Sequence, residues 1–347
     1  MSNHIADILA QWQINPTDDW VLAVITQVQG SSYRKAGAMM LFHPLGRSIG
    51  ILSGGCLEAD LRRHAQMALQ SKQAILVQYD ASDESDASYQ LGCGGIVELM
   101  LVPLSRDNHY LNFHQLTEQL YHGEPFFYQL SLPRRNTSLA NISAKIVPVN
   151  EACFPPEDFK RAGILQTERT ELIVPMRSRY RIAILGGGLD AQPMVAMAIN
   201  LGWQVDLVDE RTAYARNHDF PGARIFKQSI ETLAENFTEH LDGIVIMHHN
   251  LALDAKALKY AKAIADRDQN SAHSSLKYIA MLGPTHRRER VLQKAELTSK
   301  QINCFFSAPA GLALGGELPE SVALSILSQC HGVFHQARII ALDKVML

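Results

Sequence analysis

Two cysteines in this chain sit inside runs of glycine, a setting that suits sulfur chemistry. The first run is Ser53-Gly54-Gly55-Cys56-Leu57-Glu58, where a strand pattern gives way to a helical one. A helix N-terminus presents unpaired amides and the positive end of the macrodipole, and both stabilise a thiolate. Gly54 and Gly55 allow a ligand to approach the backbone closely. The plainer reading is a tight turn with Cys56 packed into the core as an inert thiol. The second run, Gly92-Cys93-Gly94-Gly95, is an amide-rich loop able to cup an anion, or simply a turn into the next strand. If the two runs converge, Cys56 and Cys93 form a soft pocket suited to sulfur or molybdenum.

Two further loops carry polar chemistry. Gly30-Ser31-Ser32-Tyr33-Arg34-Lys35-Ala36-Gly37 offers hydroxyls at Ser31 and Ser32 and cations at Arg34 and Lys35, a grip for phosphate or a plain polar loop. Gly186-Gly187-Gly188-Leu189-Asp190-Ala191 follows an apolar strand and opens a helix. Gly186, Gly188 and Ala191 fit G-x-G-x-x-[GA], and Asp209 ends the next strand, where an acid bonds ribose hydroxyls. Asp190 would sit poorly beside a pyrophosphate. His248 and His249 are adjacent in extended chain and point apart, so they read as loop histidines rather than a metal pair. Pro319, beside Glu317 and Glu320, reads as a helix start.

The elements that must position these loops fall into two textures. Ile5–Trp12 reads as a helix, 21–28, 39–43 and 48–52 as strands, and 56–71 as a helix. Residues 75–79 and 96–103 read as strands and 109–121 as a helix. Residues 123–176 are the least legible stretch, with six prolines among short apolar runs. From Arg181 the pattern becomes regular β–α alternation. Strands are expected at Arg181–Leu185, Gln204–Val208, 243–247 and 278–282, and helices at 191–201, 252–265 and 288–297. Buried apolar strands separated by helices indicate a parallel, doubly wound sheet. The fold class is therefore α/β, with an N-terminal α+β domain at 1–166, a linker at 167–179, and a Rossmann-like domain at 180–347.

The bulk composition narrows the function. The chain has 347 residues, 47% of them hydrophobic, with a net charge of −3 and no contiguous basic stripe, which argues against nucleic-acid binding. The densest basic cluster, Arg287-Arg288-Glu289-Arg290, is interrupted by an acid. No apolar run approaches the roughly 20 residues of a membrane span, and the N-terminus lacks a signal-peptide layout, so a cytoplasmic protein without a membrane partner is expected. Five cysteines without CxxC spacing argue against a disulfide framework or a zinc ribbon.

Taken together, residues 30–38, the Cys56 and Cys93 motifs, the Gly-rich turn with Asp209, Leu282-Gly283 and residues 308–326 resemble the xanthine dehydrogenase accessory protein family, XdhC/CoxI. The resemblance implies binding of molybdenum cofactor, with Cys56 and Cys93 contacting its molybdenum and Gly54, Gly55, Gly92 and Gly94 shaping the site. It also implies that the cofactor is protected, sulfurated and inserted into a xanthine dehydrogenase-type enzyme. The implied partners are the apo molybdenum hydroxylase, a cysteine desulfurase and a second copy of the chain. The sequence departs from the family at three loops. His248-His249-Asn250-Leu251 stands where the family tends to show Thr-His-Asp-His. Pro284-Thr285-His286-Arg287 replaces Ser-Arg-Arg-Lys, and Ala313 replaces an Asp. Two other readings stay open: an oxidoreductase using NAD(P) or another nucleotide in the Rossmann half, and a protein–protein adaptor whose glycine loops are only turns.

Overall fold

Along the first strand, β1 (Val21–Gln29), apolar residues face both ways. Val21, Ala23 and Ile25 pack on one side and Leu22 and Val24 on the other. Such a strand needs a partner layer on each face, and the architecture supplies both. The computed structural model describes residues 3–55, 57–80, 95–133, 138–166, 168–233, 237, 240–268 and 276–338. The chain divides into two units, Met1–Ser178 and Arg179–Leu347.

In the first unit, β1 is the centre of a five-stranded antiparallel sheet. The other strands are β2 (Met39–Phe42), β3 (Ser48–Ile49), β4 (Ile75–Asp80) and β5 (Ile96–Pro103), in the order β3-β2-β1-β5-β4. Helix α2 (Glu58–Ser71) covers one face through Leu57, Leu61, Ala65 and Ala68. The opposite face shares a core with α1 (Ile5–Trp12), with α3 (Phe113–His122), and with a second antiparallel sheet. That sheet comprises β6 (Phe126–Ser131), β7 (Ala144–Pro148), β8 (Gly163–Gln166) and β9 (Thr170–Met176), ordered β7-β6-β9-β8. At the centre of this core Trp12 is fully buried and meets Phe113 edge-on.

Two expectations are corrected here. A linker was expected at 167–179, yet Thr170–Met176 is an inner strand, with Leu172 and Ile173 fully buried between β6 and β8. Its main partner lies some forty residues upstream, as in Leu130↔Leu172, so no local pattern announces it. The helix expected at 109–121 begins only at Phe113, because His109, Tyr110, Leu111 and Asn112 are all left-handed. Leu111 is fully buried, and its carbonyl accepts the buried Tyr128 hydroxyl at 2.7 Å, so tertiary contacts override helical propensity.

The second unit is the doubly wound sheet that the alternation implied. Its strands are β10 (Arg181–Leu185), β11 (Gln204–Val208), β12 (Arg224–Phe226), β13 (Gly243–Ile246), β14 (Tyr278–Met281) and β15 (Phe305–Ser307). All pair in parallel, in the order β12-β11-β10-β13-β14-β15. Helices α4 (Gln192–Asn200) and α7 (Pro319–Phe334) contribute to the core on one face. Helices α5 (Leu251–Asp268) and α6 (Thr285–Ala295) contribute to the core on the other. Counted from β10, this is the 3-2-1-4-5-6 order of the Rossmann fold. Among the described residues no helix is long and apolar enough to cross a membrane.

One charge lies in the apolar sheet. Asp206 on β11 is fully buried and is held by Arg181 of β10 at 2.7 Å and by Arg224 of β12 at 2.7 Å. Removing the carboxylate takes this ion pair from Arg181, whose side chain is only 13% exposed. Asp206→Ala is expected to lower the stability of the second unit by about 3–5 kcal/mol, read as an earlier midpoint in urea unfolding. A change under about 1 kcal/mol would show that the cluster is not a structural tie.

Candidate functional site

Antiparallel pairing decides where the N-terminal motifs meet. Gln29, the last residue of β1, pairs with Ile96, the first of β5, and Ile96 also pairs with Asp80, the last of β4. On the far side β2 starts opposite Val24, and Ile49 at the end of β3 lies beside Leu41. The loops after β1, after β3 and before β5 therefore leave from one edge of the sheet. These are the three loops that hold the Gly30–Gly37, Ser53–Glu58 and Gly92–Gly95 motifs.

Ser53 and Glu58 hold the first cysteine motif closed. The Ser53 hydroxyl donates to the Glu58 carboxylate and accepts from the amides of Leu57 at 3.0 Å and Gly55 at 3.2 Å. Glu58 in turn accepts the Ser53 amide at 2.9 Å, a reciprocal clamp of the capping-box kind. Burial pushes the Glu58 carboxyl upward, but the Ser53 hydroxyl and amide outweigh it and leave the group below the usual carboxylate range. Gly54 and Gly55 are exposed, and a Cβ built on either would meet nothing within 4 Å among the described residues. Gly55 has φ +109, which a side chain would strain. The clamp thus projects a bare backbone loop into the open. Glu58 and Asp60 sit in the first turn of α2, so carboxylates already answer part of the dipole expected to stabilise a thiolate there. Cys56 itself lies outside the described residues.

Three contacts tie the flanks of the motifs together. Tyr79, near the end of β4, donates to Asp60 in the first turn of α2 at 2.7 Å, which sets the start of that helix over the edge where β5 begins. Gly95 presses on the Gly30 loop so closely that a Cβ would stand 2.1 Å from the Ser31 carbonyl oxygen. Arg34 reaches the Ile51 carbonyl at 3.4 Å, just before the Ser53 turn. Ser31 is exposed, whereas Ser32 donates to the Arg34 carbonyl at 2.7 Å and serves the loop's own turn. Gly92, Cys93 and Gly94, like Cys56, lie outside the described residues. Among the described residues no group of three or more His, Cys, Asp and Glu is placed to hold a metal ion.

The Gly-rich turn of the second unit lies at the point where the strand order reverses. A Cβ on Gly186, at φ +120, would stand 2.5 Å from the backbone of Met247 and His248, so only glycine lets the β10 and β13 loops approach. Gly187 is covered by Ala215, Gly188 precedes the short 3-10 turn Leu189–Ala191, and Ala191 is fully buried. Asp209 is fully buried and spends both oxygens on the protein. One accepts the Gly187 amide at 2.8 Å and Arg211 Nη2 at 2.7 Å; the other accepts the Arg211 amide and Nε. Burial alone would raise its pKa, but the Arg211 guanidinium and the Gly187 amide hold it below the usual range. Arg211 also donates to the His248 carbonyl at 3.1 Å and lies 3.6 Å above the Tyr214 ring. The role expected of Asp209, accepting ribose hydroxyls, is not met in this arrangement.

The two histidines do point apart, but only one is a surface residue. His248 is buried against Asp254, which also takes Arg287 of α6. His249, left-handed at φ +57, reaches Asp190 at 2.6 Å across the mouth of a 560 Å³ crevice that Gly188, Arg211 and Tyr214 also line. This hydrogen bond raises the pKa of His249 and lowers that of Asp190. An ionised carboxylate thus stands where a pyrophosphate would meet the start of α4. With Asp209 also engaged, these residues do not fit a dinucleotide bound in the usual way. Sequence reasoning missed Arg211 and the Asp190–His249 pair, since 59 residues separate the latter and only the strand order brings them together.

The contribution of His249 is present below the ordinary histidine pKa and is lost as pH rises through its raised value. That of Asp190 is present above the ordinary aspartate pKa and is lost as pH falls through its lowered value. The pair therefore holds between the lowered Asp190 value and the raised His249 value, and because it is half exposed it contributes under about 1 kcal/mol. In an NMR titration His249 is expected to deprotonate above the ordinary histidine value, and Asp190→Asn to remove the elevation. An identical midpoint in both proteins would refute the pairing. Titration with NADH is expected to show no saturable signal; tight binding would mean that Asp209 is readily released from Arg211.

Comparison with known proteins agrees with this two-unit description. The model of the XdhC and CoxI family matches residues 14–80, and that of the XdhC Rossmann domain matches residues 182–330. The chain is 27% identical over 325 residues to a Bacillus subtilis (strain 168) protein described as a probable xanthine dehydrogenase subunit, covering 90% of this chain and 92% of that protein. It is also similar to a Bacillus halodurans protein solved as a xanthine dehydrogenase, at 26% identity and a TM-score of 0.77, covering 98% of this chain and 97% of that one. With one family model on each unit, the chain belongs to the XdhC and CoxI family.

Proposed function

We propose that this protein is an accessory factor of a xanthine dehydrogenase-type molybdenum enzyme. It takes up molybdenum cofactor as cargo at the loop edge of the first unit, keeps it during sulfuration by a cysteine desulfurase, and passes it to the apo enzyme. The observation that carries this reading is that antiparallel pairing brings the described flanks of three glycine-rich loops to one edge of one sheet. Two homologous proteins whose names tie them to xanthine dehydrogenase support the choice of partner.

The local chemistry is compatible with such cargo. Cys56 and Cys93 supply soft thiolates for the molybdenum, and the exposed Gly54 and Gly55 let the guest approach the backbone. The Ser53–Glu58 clamp keeps that loop in place without occupying it. Gly92 and Gly94 shape the second half of the site, and Ser31 and Arg34 serve as its donors. The cargo supplies the redox-active metal, and this chain binds, orients and shelters it. Two copies of the chain form the working assembly.

The strand order of the second unit favours one other reading, a nucleotide-dependent oxidoreductase. The engagement of Asp209 and Asp190 by the chain's own side chains weighs against it.

Purified from a molybdenum-replete host, the parent protein is expected to carry molybdenum. Cys56→Ser and Cys93→Ser are each expected to reduce the metal per chain roughly tenfold or more, measured by elemental analysis. Equal metal content in the parent and both variants would remove the thiols from the reading.

A further inference from the structure

Where the two sheets of the first unit part, they leave a cleft of 1030 Å³, at the upper end of the range usual for small-molecule sites. Apolar residues, Ile8, Met39, Ile164, Val174 and Met176 among them, share its lining with polar ones such as Thr26 and Gln27. Its charges all have one sign. Arg34, Lys35 and Arg161 line it, and no described carboxylate does, although the whole chain carries a net charge of −3. Lys35 and Arg161 are exposed and have no ion-pair partner among the described residues. A concave surface with one sign of charge and low-dielectric walls concentrates its field on a guest of the opposite sign.

The loop that brings Tyr33, Arg34 and Lys35 to this cleft is held in place. Gly37, at φ +83, lies so close to the second sheet that a Cβ would stand 2.8 Å from Ala162 and 2.9 Å from Val174. Its amide donates to the Ile25 carbonyl at 2.8 Å, and the Ala38 amide donates to the Lys35 carbonyl at 3.2 Å. Tyr33 is 61% exposed at the rim, a ring with one face available for stacking.

We propose that this cleft binds a phosphorylated ligand with a flat heteroaromatic body. Lys35, from the loop between β1 and β2, and Arg161, from the segment that precedes β8, take the phosphate, Tyr33 stacks on the body, and the apolar residues of the lining pack against it. Naming the ligand rests on the function proposed above, since a pterin phosphate is a molecule of this class; the cleft and its charges do not. Arg161 lies in the stretch that sequence reading left unassigned, and no motif pointed to it.

The test uses the full chain and inorganic pyrophosphate, followed by calorimetry at low salt. The parent is expected to bind saturably, and binding should weaken as salt is raised. The double variant Lys35→Ala/Arg161→Ala is expected to lose at least tenfold in affinity with an unchanged Tm, because both side chains are exposed. Cys56→Ser/Cys93→Ser should bind pyrophosphate as the parent does. Tyr33→Ala should also keep pyrophosphate but retain less molybdenum. No saturable binding by the parent, or equal binding by the double variant, overturns the proposal. Loss of pyrophosphate binding in the double variant, when the parent carries no molybdenum, upholds the anion cleft and sinks the chaperone reading. Unchanged pyrophosphate binding in the double variant, when the parent does carry molybdenum, does the reverse.

Discussion

Strand β1 runs antiparallel to both of its neighbours, β2 and β5, and most of the chemistry of the first unit depends on that pairing. An antiparallel partner begins where its neighbour ends. The residues after β1, those after β3 and those before β5 must therefore share one edge, whatever their conformation. Had any of these pairings been parallel, one glycine motif would stand at the opposite end of the sheet. The side-chain ties are secondary to this. Tyr79–Asp60, Arg34–Ile51 and the close seat of Gly95 adjust loops that the ladder has already gathered.

Glycine does two kinds of work in this chain. At Gly37, Gly95 and Gly186 the neighbouring atoms leave no room for a Cβ, and the residue permits close packing of backbone on backbone or side chain. At Gly54 and Gly55 no described atom crowds the position, so internal packing does not account for the absence of a side chain. That contrast separates glycines crowded by their neighbours from glycines that no described atom crowds, and at Gly55 the positive φ calls for glycine in its own right.

The second unit keeps the Rossmann framework but uses its polar residues on itself. Asp209, Arg211 and the Gly187 amide form a closed set, Asp190 and His249 a second, and His248, Asp254 and Arg287 a third. All three lie on the loops and first helical turns that follow the carboxyl ends of the strands, the edge where such sheets usually receive ligands. Two of the three loops at which the sequence departs from its family supply His248, His249 and Arg287 to these sets. The crevice is consequently lined by charges that already have partners. The cleft of the first unit, by contrast, holds cations without carboxylates beside them.

Much of the architecture was legible in the sequence because its signals are local. A run rich in β-branched residues marked β1, an apolar stripe marked α1, and the run Arg181–Leu185 followed by glycine marked the start of the Rossmann unit. The glycine-cysteine motifs were visible for the same reason, as was the likeness to a family. Tertiary structure alone decided what depends on residues distant in the chain. Thr170–Met176 is a strand because β6 and β8 flank it, and the left-handed turn before α3 exists because Leu111 and Tyr128 are buried together. The same holds for the capture of Asp209 by Arg211, the meeting of His249 with Asp190, and the presence of Arg161 and Lys35 in one cleft. Residue type and spacing specify what a segment can form. Which charge meets which partner depends on the three-dimensional path between them, and that path is set by the packing of the whole unit.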